Sequence, residues 1–109
     1  MIALMKQKKS ALAELCQHYR VARLDLFGSA AREDFVQESS DLDFIVAFES
    51  PGEPGYAARF LDFADELERL FACPVDLLTE PMIRNPYFRE AVEETRQNVY
   101  DARSEEAIV

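Results

Sequence analysis

The apolar positions along the chain fall into two periods. Leu12, Leu15, Cys16 and Tyr19 recur at helical spacing, which predicts a first helix over about Leu4 to Tyr19. In "VARLDLF", Ala22, Leu24 and Leu26 alternate with Arg23 and Asp25, the period of a strand that stops at Gly28. "SAARED" predicts a short helix and "FVQESS" a loop. A second strand, Asp41 to Phe48, is apolar on both faces in its later part, as expected of a strand covered on both sides. "ESPGEPGY" is a connecting loop. Phe60, Phe63, Ala64, Leu67, Leu70 and Phe71 form one face of a long helix from about Ala57 to Ala72, with Asp65 and Arg69 spaced i,i+4 on its polar side. Pro74 ends that helix and "VDLLT" makes a third short strand. In "RNPYFREAVEETRQNVY", Asn85 caps a last helix and Pro86 suits its first turn, while Phe88, Ala91, Val92, Thr95 and Val99 face inward. The acidic tail from about Asp101 is expected to fray. This order predicts a small α/β domain with helices packed on a three-stranded mixed sheet.

Composition narrows the class. A chain of 109 residues, 49% apolar, forms one domain over 1–109 and can bury a core without disulfides or structural metal. The net charge of −9, from 21 acidic and 12 basic residues, argues against direct nucleic-acid binding, which rests on clustered Lys and Arg. The one basic cluster, Lys6, Lys8 and Lys9, reads as a solvated helix end. No stretch has the apolar length of a membrane span, and no export signal opens the chain. Cys16 and Cys73 form no C-x-x-C pair and read as reduced, buried thiols of a cytoplasmic protein. His18 has no Cys or His at ligand spacing, which disfavours a zinc site.

The candidate chemistry lies between Gly28 and Asp76. Strand alternation puts Asp41 and Asp43 on one face, their Cα atoms about 6.6 Å apart. Two charges near that distance repel by roughly 3 kcal/mol at an effective dielectric of 20. A divalent cation offsets such repulsion, and oxygen-only ligands suit Mg²⁺. In "PVDLLT", Val75 and Leu77 face the core, which leaves Asp76 to join the pair if the strands are adjacent. Three such groups can hold two metal ions for an in-line phosphoryl displacement. Gly28 permits close backbone approach, Ser29 at the start of a short helix can hold a phosphate, and Arg32 can add a charge-assisted bond. Ser29 as a hydrolase nucleophile is disfavoured, since no G-x-S-x-G is present and the single His lies in the first helix. "GSAAR" is not a P-loop. Each piece also has a plainer reading: D-x-D often opens a strand, Gly-Ser is a common turn, and Arg32 can simply pair with Glu33 or Asp34.

In combination, "LFGSAAR" (Leu26 to Arg32), "SDLDFIV" (Ser40 to Val46), "VDLLTE" (Val75 to Glu80) and "RNPYFREAV" resemble the nucleotidyltransferase superfamily that includes DNA polymerase beta. More closely, the chain is similar to the minimal nucleotidyltransferase (MNT) antitoxins of HEPN/MNT toxin–antitoxin pairs. The resemblance implies the DNA polymerase beta-like fold, with Asp41, Asp43 and Asp76 as catalytic, metal-binding carboxylates. It implies Gly28 and Ser29 on the nucleotide phosphates, with Arg32 and Ser40 beside them. It also implies Mg²⁺, ATP as substrate, and transfer of AMP to a tyrosine of a HEPN toxin bound as a hetero-oligomer. Asp76 would accept the proton of the acceptor hydroxyl. Where that family often has glycine after the arginine, this chain has Glu33, which places negative charge near the phosphates. Two other readings stand beside this one: an antitoxin that neutralises its partner by contact alone, and a nucleotidyltransferase acting on a small hydroxylated molecule.

Overall fold

Strand β1, Val21–Phe27, is buried on both faces from Leu24 onward, because helices cover the sheet from both sides. The structure is a computed structural model and describes residues 2–28, 31, 41–103 and 106–107. The elements before β1 are α1 (Ile2–Gln7) and α2 (Lys9–His18). After it come β2 (Leu42–Phe48), α3 (Tyr56–Phe71), β3 (Val75–Leu78), a 3-10 turn at Glu80–Met82 and α4 (Pro86–Thr95). Strands β4 (Gln97–Asp101) and β5 (Glu106–Ala107) complete the order.

The sheet runs β3-β2-β1-β4-β5, with β2 and β3 parallel and the other neighbours antiparallel. Helix α3 is the crossover between the parallel pair, as such a pair requires. One face of the sheet carries Leu24, Leu26, Leu42, Phe44, Val46, Phe48 and Leu77, packed with Leu12 and Cys16 of α2 and Phe63, Leu67 and Phe71 of α3. The opposite face carries Phe27 and Ile45, covered by Val92 of α4 and by Ile83. Cys16 and Cys73 are unpaired and buried, and burial pushes both thiols up from their ordinary pKa. Among the described residues no helix is long and apolar enough to cross a membrane.

Several expectations change. The sheet has five strands rather than three. The last helix does not reach Tyr100: it ends at Thr95, and Arg96 turns extended at φ −58°, ψ 128°. Val99 continues the helical spacing of Phe88, Val92 and Thr95 by coincidence; it lies in β4, buried in the core on the far side of the sheet. The acidic tail opens inside the sheet, since Asp101 closes β4 and pairs with Glu106 of β5. The first helix is two, divided at Lys8. On α3, Arg69 pairs with Glu66 at i,i+3 and not with Asp65. The Asn85 cap forms as expected, its Oδ1 accepting the N–H of Tyr87 at 2.8 Å and of Phe88 at 3.2 Å. Of the expected short helix "SAARED", Ala31 alone is described; its N–H donates to the Gly28 carbonyl at 3.1 Å.

Candidate active site

Three neighbouring strands deliver the site. In the antiparallel register Phe27 of β1 lies opposite Asp43 of β2, and in the parallel register Asp43 lies beside Asp76 of β3. Register partners project from the same face, so Asp43 and Asp76 stand together at the end of the sheet where β1 reaches Gly28. Leu77, on the other side of β3, is buried in the main core, which fixes which way Asp76 points. Asp41 precedes β2 by one residue, and the Leu42 N–H donates to the Pro74 carbonyl at 3.0 Å, tying the openings of β2 and β3 together.

The electrostatics follow from this packing. Asp43 is half-buried while Asp41 and Asp76 are exposed. The Asp43 carboxyl is pushed up to about 6, first by burial and then by the charges of Asp76 and Asp41. Among the described residues, no ion pair or hydrogen bond engages these three carboxylates. As the side chains stand, no three Asp, Glu, His or Cys groups among the described residues form a ready-made metal cage. The donor set is nonetheless carboxylate oxygen throughout, the kind a hard divalent cation takes. Its middle member also carries a repulsion that such a cation would relieve.

Gly28 completes the described part of the site. It holds φ +78°, and a Cβ built there would lie 2.5 Å from Asp43 Oδ2. Both the backbone angle and the close approach therefore favour glycine. Its N–H does not face outward: it donates to Thr95 Oγ1 at 2.9 Å. A cleft of about 320 Å³ opens beside Gly28 and Asp43, walled by Phe27, Phe88, Ala91 and Thr95. Ser29, Arg32, Glu33 and Ser40 lie outside the described residues. Of the sequence-predicted residues, Gly28, Asp43 and Asp76 come together, with Asp41 at their edge.

The support behind this turn is not visible in the sequence. Thr95 reads there as one more inward helix position, and Asp25 has no partner in view. In the structure Asp25 is 1% exposed and accepts Arg96 Nε at 2.7 Å, Asn98 Nδ2 at 2.8 Å and Arg23 Nε at 3.1 Å. A buried charge at the centre of a strand is the one signal that could have pointed to such partners.

A model of the nucleotidyltransferase domain family matches residues 8–99. A Methanocaldococcus jannaschii protein named "Putative protein adenylyltransferase" is 37% identical over 76 residues, which are 70% of this chain and 74% of that one. A solved structure of a "putative minimal nucleotidyltransferase" is 33% identical with a TM-score of 0.62, covering 81% of this chain and 85% of that one. A toxin–antitoxin crystal structure with AMP-PNP shares the fold at a TM-score of 0.62 and 15% identity, covering 88% of this chain and 76% of that one.

Proposed function

Because this chain belongs to the nucleotidyltransferase domain family, we propose that it moves AMP from ATP to a tyrosine hydroxyl of a partner HEPN toxin and so acts as an antitoxin. The observation that carries the reading is the pairing of Asp43 with Asp76 across parallel strands, with Gly28 packed on Asp43 and Asp41 two residues upstream. The name of the M. jannaschii relative supports a protein acceptor. The fold shared with a toxin–antitoxin structure is consistent with a toxin as that acceptor. The reading treats residues 1–109 as one minimal nucleotidyltransferase domain, acting in the cytoplasm in a hetero-oligomer with its toxin.

Asp41, Asp43 and Asp76 would hold two Mg²⁺ ions, whose charge, when bound, neutralises the triphosphate and the charge that develops on transfer. Ser29 and Arg32 would hold the phosphates, with Gly28 allowing the turn's close approach and Ser40 hydrogen-bonding beside them. Asp76, more exposed than Asp43, takes the proton of the incoming hydroxyl. The acceptor oxygen bonds the α-phosphorus as the bond to the β-phosphate oxygen breaks, so AMP stays on the acceptor and pyrophosphate leaves.

The test is incubation with Mg²⁺, α-³²P-ATP and the product of the neighbouring gene. Label on that partner, lost with Asp41→Ala, supports the reading. Neutralisation of the partner that persists without label in the double variant Asp41→Ala, Asp43→Ala would favour neutralisation by contact.

A further inference from the structure

The end of α4 is tied to the site turn across 67 residues of sequence, where Thr95 Oγ1 accepts the Gly28 N–H at 2.9 Å. The same hydroxyl has the Val92 carbonyl at 3.4 Å and the Ala91 carbonyl at 3.5 Å to donate to, both in the last turns of the helix. Gly28 in turn leaves no space for a Cβ beside Asp43 Oδ2. The position of Thr95 therefore sets how near the turn stands to the carboxylate.

What holds Thr95 is the residue after it. Arg96 leaves the helix and donates to Asp25 at 2.7 Å and to Glu93 at 2.7 Å, and it pairs with Glu80 as well. Asp25 lies on β1 three residues before Gly28 and is further held by Asn98 of β4. Sliding the helix end along the sheet would take from a buried carboxylate its shortest charge-assisted bond, leaving it Arg23 and Asn98, a penalty larger than that of losing a surface pair.

Resting on the nucleotidyl-transfer reading, we propose that Thr95 is a positioning residue for the nucleotide: it acts through Gly28, holding the turn at its close approach to Asp43, with the Arg96–Asp25 pair as its anchor. The test compares Thr95→Val, similar in shape but without the oxygen, with Thr95→Ser, which keeps it. Calorimetry reads binding of Mg²⁺ with α,β-methylene-ATP, and NMR hydrogen exchange reads the Gly28 amide. Thr95→Val should expose the amide and weaken binding about tenfold, the scale of one hydrogen bond, while Thr95→Ser stays within about threefold. If Thr95→Val does not fold, Thr95→Ala carries the same comparison. Native-like binding by the valine variant despite an unprotected Gly28 amide overturns the inference and leaves the transfer reading standing. So does a serine variant as weak as the valine one. A native protein that binds no Mg²⁺-analogue overturns both.

Discussion

Replacing Asp43 by Asn should stabilise the ligand-free protein. With its carboxyl at about 6 in the folded chain against an ordinary 3.8, Asp43 is ionised at pH 7 only against burial and the charges of Asp76 and Asp41. The gap corresponds to about 3 kcal/mol. The side chain is half-buried, so water screens part of the effect and about 1–2 kcal/mol remains. At an unfolding entropy of about 2.1 cal/mol/K per residue, that is a rise in Tm of about 4–9 °C for this chain of 109 residues at pH 7. The pH dependence has a definite sign. A carboxylate whose folded pKa is raised binds its proton more tightly when folded. The native protein therefore gains stability as pH falls from about 7 towards 4, and this group contributes nothing further below that. Glu80, lowered by its bonds to Arg96 and Arg89, and Asp101, lowered by Arg103, act oppositely. Their contributions are present above about pH 4.5 and are lost as pH falls through their folded values. Thermal melts by circular dichroism should show native Tm rising between pH 7 and about 5 and falling below that. The Asp43→Asn variant should start higher and lack the rise. A variant that melts lower than native at pH 7, with the rise retained, would refute the argument and assign Asp43 a structural partner.

Gly28→Ala forces a side chain into positive φ and against Asp43 Oδ2, and should cost about 1–3 kcal/mol in denaturant titration while weakening Mg²⁺-nucleotide binding. Asp25→Ala leaves the mostly buried Arg96 without a central partner and should lower stability by about 3 kcal/mol; a loss under 1 kcal/mol would show that Glu80 and Glu93 suffice. Mg²⁺ with ATP at about a hundred times its dissociation constant should stabilise the native chain by about 2.7 kcal/mol, and this gain should vanish in Asp43→Asn.

Much of this arrangement was legible because strand alternation is local. Asp41 and Asp43 on one face, Leu77 inward and Asp76 outward all follow from a period of two, and β3 places Asp76 beside Asp43 as adjacency required. What escaped depends on long-range pairing. Strand β4 exists because Asn98 and Tyr100 pair with Asp25 and Leu24 across more than seventy residues. Nothing in "TRQNVYD" breaks the helical pattern before it, so Val99 fits either period. With the helix end misplaced, Arg96 and Asn98 fall on a helix surface, and neither the anchor on Asp25 nor the Thr95 bond to Gly28 can be read.

In the proposed function, Asp41, Asp43 and Asp76 together seat a divalent cation for nucleotidyl transfer. Its most direct measurement is anomalous diffraction from crystals grown with Mn²⁺ and α,β-methylene-ATP. Manganese should be in contact with the Asp43 and Asp76 carboxylates, with the analogue's phosphates against the Gly28 turn. Manganese absent from that pair, with the nucleotide bound elsewhere on the chain, would contradict it.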